Sequence, residues 1–303
     1  MSTTPLSTNG PTSSLTARSA LRDGLRGAMQ WRLWLLWIGA SLACALIAAM
    51  PAWNWLGAGL DHSVHAQAIA SGHAPVPLLD LVLSRNAPLG VIGGSATIAA
   101  ILMLLLSPLL AGATIAAIRS QARPGFGDLL RGAIAEYGPM LRMLVWSVVP
   151  LGLAVLVMSV IIGVNEKAHE HAILASEAAT GRTIAFVVGG VLFVLAHASL
   201  EAGRGWLAID GRLRSALKAW WRGVKLLCRR PVAVLLAWLA TTLLGLALAL
   251  LFVFLRQYAS GAGVGGFLLA LLLGCGIAAG LAWGRIARLY AMATLAGDMH
   301  ARR

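Results

Sequence analysis

Three ionisable side chains stand at the end of an apolar run. His197, Glu201 and Arg204 occur at i, i+4 and i+7, a spacing that puts them on one face of a helix. Ionisable groups inside a membrane are costly and mark proton or ion pathways when they face a protein interior. Such a row offers either a proton or ion relay with His197 as its deepest member, or a Glu201–Arg204 pair at the membrane boundary. The boundary position of Arg204 favours the pair, because water and headgroups are then within reach.

A second constellation is cationic. Taking 212–229 as a helix, Arg214, Lys218, Arg222, Lys225 and Arg229 fall between about 200° and 280°. Leu213, Ala216, Leu217, Trp220, Val224, Leu227 and Cys228 fall between about 40° and 160°, with Trp221 at their border and Leu226 as a misfit. The expected position is flat on the inner leaflet, apolar face inward and basic face toward anionic headgroups. Residues 126–141 form a weaker version, with Phe126, Leu130, Ala133, Tyr137 and Leu141 on one side. The expected contacts are lipid headgroups or a membrane-protein partner, not nucleic acid.

Other residues carry less. His62, His65, His73, His169 and His171 lie in connections between apolar runs, accompanied by Asp61, Asp80, Glu166, Glu170 and Glu177. Imidazole and carboxylate suit zinc, nickel or copper(II), but no established ligand spacing is present, so hydrated loops and no metal are expected. Gly276, Gly280 and Gly284 make a small-residue stripe that lets helix backbones approach closely. Packing within the bundle is the expectation and homodimerisation its rival. Gly261, Gly263 and Gly266 spell G-x-G-x-x-G, but they join two apolar runs rather than a strand and a helix, so no dinucleotide site follows. Cys44, Cys228 and Cys275 have no paired spacing, which supports neither a disulfide framework nor a cysteine metal site. No activated nucleophile with a positioned base is legible, so no catalytic residue and no cofactor are expected.

The elements that must hold these residues are set by composition. Of 303 residues, 59% are hydrophobic and 12% charged, and the mean hydropathy is +0.81. Soluble domains carry about twice that charge density, and a soluble globule of this composition would expose large apolar patches. Soluble enzymes, DNA-binding domains and disordered chains are excluded. Six runs reach the length needed to cross a bilayer, at 33–52, 89–118, 143–164, 183–203, 231–255 and 265–284. Lipid offers no partner for open backbone, so the runs are expected to be helices.

Orientation follows from the basic residues. Of 24 lysines and arginines, four precede the first run, four lie in the second connection, eight in the fourth and four near the C-terminus. Only Arg85, Lys167, Arg182 and Arg256 lie in the alternate connections. That alternation predicts both termini in the cytoplasm. The net charge of +13 is then a topological signal. Trp31 and Trp34 near one end of the first run, and Trp53 and Trp55 near the other, fit the two interfaces. Residues 1–14 are polar and rich in Ser, Thr and Pro, and are expected to be disordered. The first run is expected to remain as a span, because it is longer than a signal-peptide core.

A repeat organises the spans. Leu25-Arg26-Gly27-Ala28, Leu130-Arg131-Gly132-Ala133 and Trp221-Arg222-Gly223-Val224 each precede a run. Ala111-Gly112 with Ile118 and Ala202-Gly203 with Ile209 mark two returning runs at the same offset as the second and third leading marks. The third return carries only Gly284 and Tyr290. The expected architecture is all-α: a polytopic transmembrane helical bundle of six helices as three hairpins, with cytoplasmic amphipathic helices. Units of about 15–122, 123–208 and 209–295 make up a single domain over 15–303.

The stretches SPLLAG (107–112), GDLLRGA (127–133) and IDGRLRSALKAWWRGVKLLCRRP (209–231) lie in a segment, Ser107 to Leu255, that resembles bacterial six-span membrane proteins of unknown function. These include the membrane domain that accompanies some glycerophosphodiester phosphodiesterases. The resemblance implies an accessory inner-membrane module. The phosphodiesterase catalytic domain is absent from this sequence, so no catalytic residues carry over. Short connections and no convergent polar site predict a non-enzymatic scaffold or lipid-interacting module. A small-solute or ion transporter or channel is the alternative.

Overall fold

The computed structural model describes residues 17–60, 63–64, 66–70, 75–84, 87–120, 124–169, 175–258 and 263–302. The described elements are all helices: α1 (Ala17–Gly27), α2 (Trp31–Leu60), α3 (Ala66–Ala70), α4 (Pro75–Leu83), α5 (Leu89–Arg119), α6 (Phe126–Ala168), α7 (Ala175–Ile209), α8 (Ala216–Arg229), α9 (Pro231–Gln257) and α10 (Val264–Ala301). Six of them, α2, α5, α6, α7, α9 and α10, are long and apolar enough to cross a membrane, one for each expected run. The protein is a multi-pass membrane protein. The expected disordered segment 1–14 lies outside the described residues.

Three antiparallel pairs, α2/α5, α6/α7 and α9/α10, form the hairpins. α2, α5, α6, α7 and α10 close a ring, and α9 packs on α10 from outside it. α1, α8 and the C-terminal turns of α10 gather at one end, here called the basic end. Helix lengths place the core there. α6 has 43 residues and α10 has 38, about 64 and 57 Å at 1.5 Å per residue, against a hydrocarbon thickness of about 30 Å. The buried residues concentrate in the turns nearest the basic end: 110–117 of α5, 129–147 of α6, 198–208 of α7 and 280–299 of α10. The distal halves carry exposed apolar side chains such as Leu104, Val148, Leu156, Phe186, Leu250 and Leu272, as a lipid-facing surface requires.

Two expectations need correction. The first concerns 126–141, read as a surface helix separate from its span. It continues into the span as one helix, α6, through Pro139 and Pro150. Its start is capped by the Gly125 N–H donating to Asp128 Oδ2 at 3.1 Å. Neighbouring helices can re-satisfy the backbone groups a proline frees, and Pro139 is buried among them.

The second correction concerns how the amphipathic helices lie. Each docks on protein rather than resting its whole apolar face on lipid. In α8 the buried residues are Ala219, Gly223, Leu226 and Leu227, centred about 90° from the large apolar face drawn from the sequence. Leu226, the misfit, is fully buried, while Leu217 and Trp221 are about half exposed. The reason is steric: a stripe of Ala and Gly brings backbones closer than Leu and Trp can. A Cβ on Gly223 would collide with Ser199 O on α7. The early turns of α6 likewise bury Leu129, Ala133 and Met140 and leave Phe126 and Leu130 exposed. In α1 the buried row is Ala20, Gly24 and, just past its end, Ala28. A Cβ on Gly24 would lie 2.7 Å from Ala287 O of α10. Thus α6 leans on the return helix α5, α8 on the return helix α7, and α1 on the return helix α10. Each leading helix rests on the return of the preceding unit, and the first rests on the last.

Candidate functional site: an ionic cluster and a basic helix

The residues of the row on α7 are brought into contact with two further helices. Glu201 is 4% exposed. Its Oε1 accepts from Arg204 Nη1 at 2.7 Å and faces Arg288 Nη2 of α10 at 3.6 Å. Arg288 Nη1 donates to Thr242 Oγ1 of α9 at 2.9 Å, and its Nε is buried with no acceptor among the described residues. The expectation that Glu201 reaches water and headgroups is overturned. The last turns of α7 are packed against α9 and α10, so the carboxylate is enclosed by protein.

His197 departs from the row in partner. Trp238 Nε1 donates to His197 Nδ1 at 2.9 Å. That bond needs a lone pair on Nδ1, so the ring hydrogen sits on Nε2. Phe193 stacks beside the ring and Trp238 meets it edge-on. Arg285, one turn from Arg288, keeps exposed surface and holds its guanidinium 5.4 Å from the ring centre of Trp37 on α2, a cation–π distance. Arg288, Arg285, Thr242 and Trp238 were missed in the sequence because they lie at least 41 residues from His197. The only available signal was that Arg285 and Arg288 interrupt an apolar helix.

Chemically this is an ionic clasp. One carboxylate serves two guanidiniums across α7 and α10, and a threonine ties the second to α9. It contains no nucleophile with an adjacent base. Among the described residues no group of three or more His, Cys, Asp or Glu could hold a metal. Of the connection histidines, His169 is described, and its Nδ1 lies 2.8 Å from Asn165 O in its own helix. His62, His65, His73 and His171 lie outside the described residues.

The five cations of the second constellation divide. Arg214, Lys218, Lys225 and Arg229 are exposed. Arg222 is engaged: Nη1 donates to Asp210 Oδ2 at 2.8 Å, and the guanidinium sits 5.4 Å from the Trp206 ring centre. It closes the α7–α8 turn rather than presenting a free charge. Trp220 Nε1 donates to Ser199 Oγ at 3.0 Å and its ring meets Trp146 edge-on, which pins α8 to α7 and α6. A comparable anchor joins the first two units. Arg119 donates to Ala208 O, Leu207 O and Glu136 Oε1 at 2.9, 2.6 and 2.6 Å, covering two of the last carbonyls of α7 that have no intrahelical donor.

The glycine stripe is used inside the chain. A Cβ on Gly280 would lie 2.9 Å from Ala249 N, one on Gly284 2.9 Å from Thr241 O, and one on Gly276 2.6 Å from the Phe252 ring. The stripe is the α9–α10 seam. The fold and the clasp define a six-helix integral membrane protein whose interior polar contacts tie helices together. No family model matches the chain, and no curated protein or solved structure matches it.

Proposed function

We propose that this protein is a non-enzymatic accessory module of the bacterial inner membrane, with its basic end in the cytoplasm. There α8 engages anionic inner-leaflet lipid or an acidic membrane-protein partner. The observation that carries this reading is the exposed strip of α8. Lys218, Lys225 and Arg229 border the half-exposed Leu217 and Trp221, and Arg214 lies just before the helix, which starts at Ala216 rather than at the expected 212, while the opposite stripe is locked onto α7. Each such cation near an anionic surface contributes about 1 kcal/mol. The resemblance to six-span bacterial modules points the same way.

The test is purification from native membranes in mild detergent, comparing wild type with Lys218→Glu/Lys225→Glu. Arg222 is left intact because it closes the fold. A near-stoichiometric protein, or a set of anionic lipids, that the variant loses supports the reading. Identical co-purification by both proteins sinks it.

A second reading, transport, rests on the enclosed cluster. Two guanidiniums meet one carboxylate there, with a third guanidinium a turn away, so the solute would be anionic. Sulfate or chloride flux into proteoliposomes, lost in His197→Ala while the protein stays folded, would favour it. No flux above empty vesicles would remove it.

A further inference from the structure

The seat of α1 on α10 leaves a groove of about 470 Å³, lined by Arg18, Leu21, Arg22, Leu25, Arg26 and Met29 of the leading segment and by Trp283 of α10. Its lining has an order. Arg18, Arg22 and Arg26 recur every four residues, so they form one ridge. Leu21, Leu25 and Met29 recur in the same way, three residues later, and form a second ridge about 60° away. The groove wall itself is almost wholly apolar, arginine stems included, and the exposed arginines give it a cationic lip.

The floor extends along α10 away from the basic end. Gly24 touches α10 at Ala287, and Trp283 lies one turn further toward the distal end, about 6 Å along the axis. Leu25 and Trp283 back onto the buried cluster that holds Leu33, Trp37 and Ile286, which fixes the wall. The lip is short of counter-charge. Arg22 meets Asp23 only at 3.9 Å, with both side chains well exposed, and Arg18 and Arg26 have no ion pair among the described residues.

We infer that this groove binds one anionic phospholipid, its phosphate on Arg18, Arg22 and Arg26 and an acyl chain along Leu25, Met29 and Trp283. The two ridges select the occupant. A free phosphate would leave the apolar wall in water, and an uncharged lipid would leave the arginines without a partner. Guanidinium is the side chain best matched to phosphate geometry, and tryptophan is the side chain most at home where headgroups meet acyl chains. The inference rests on the reading that the basic end lies at an anionic leaflet, but it uses a different helix from α8.

The experiment reconstitutes the full chain in nanodiscs of phosphatidylglycerol and phosphatidylcholine and counts retained lipids by native mass spectrometry. The expected result is one phosphatidylglycerol held per chain, retention falling about a hundredfold in Arg18→Gln/Arg22→Gln/Arg26→Gln. Lys218→Glu/Lys225→Glu should retain it. Because the three arginines are exposed, the triple variant should keep the wild-type melting profile. Should it unfold, Met29→Glu, at an exposed position on the wall, provides the same readout. Equal retention of the two lipids, no retained lipid, or undiminished retention by the α1 variants overturns the inference. Loss in the α8 variant alone would remove the groove and leave the α8 reading standing. Loss in the α1 variant alone, with unchanged co-purification for α8, would do the reverse.

Discussion

Asp210 accepts from Arg222 and from the Arg212 backbone N–H at 3.1 Å. The hydrogen bond from Arg222 holds its carboxyl below the usual carboxylate range against an opposing push from burial. A carboxylate depressed in the folded state stabilises above its unfolded pKa, near 4, and that stability fades as pH falls through the folded value. Asp210→Asn should lower the melting midpoint in detergent at pH 7 and flatten its decline below about pH 4. An unchanged acid limb would disprove the link. Glu201 is a harsher case. Glu201→Gln leaves Arg204 and Arg288 without their counter-charge, and breaking an enclosed pair costs about 3–5 kcal/mol. Adding Arg288→Met should recover part of that loss, as read by thermal unfolding of the two variants. The row His197, Glu201, Arg204 was legible as one helix face. Its fate was not, because the arginine and threonine that complete it come from other helices.

The α9–α10 seam shows how little space separates two helices. Gly280→Leu must displace backbone at Ala249. Overpacking at such a contact typically costs about 1–3 kcal/mol or more. Gly152 of α6 has nothing within 4 Å of a built Cβ, so Gly152→Ala should be neutral or stabilise by up to about 1 kcal/mol through helix propensity. Matched melts of the two variants decide, and equal effects would mean that the seam is not tightly packed. For the same reason Gly280→Leu cannot report on dimerisation, since it disturbs the monomer first. The sequence marked the stripe but not its partner. In α8 it marked a basic and an apolar face and misplaced the docking face, because hydropathy weighs Leu and Trp above the Gly and Ala that allow close approach.

At the scale of the molecule, the orientation can be read from a native cysteine. Cys228 is exposed at the basic end, while Cys44 is buried and Cys275 half-buried in spans. A membrane-impermeant maleimide should label Cys228 in inverted vesicles but not in intact cells, in a Cys44→Ser/Cys275→Ser background. Labelling in intact cells would reverse the proposed topology. What the sequence determined by itself is the six-helix membrane architecture, its hairpin order and the segregation of charge to alternate connections. These follow from length and hydropathy, which act on each segment alone against lipid and water. Only the tertiary structure decided that Glu201 is enclosed, that Arg222 is spent on Asp210, that the glycine stripe faces α9, and that α1 closes the order of units by resting on α10. Those outcomes depend on which backbones can approach within van der Waals distance. That property belongs to pairs of helices far apart in the chain, and no single segment encodes it.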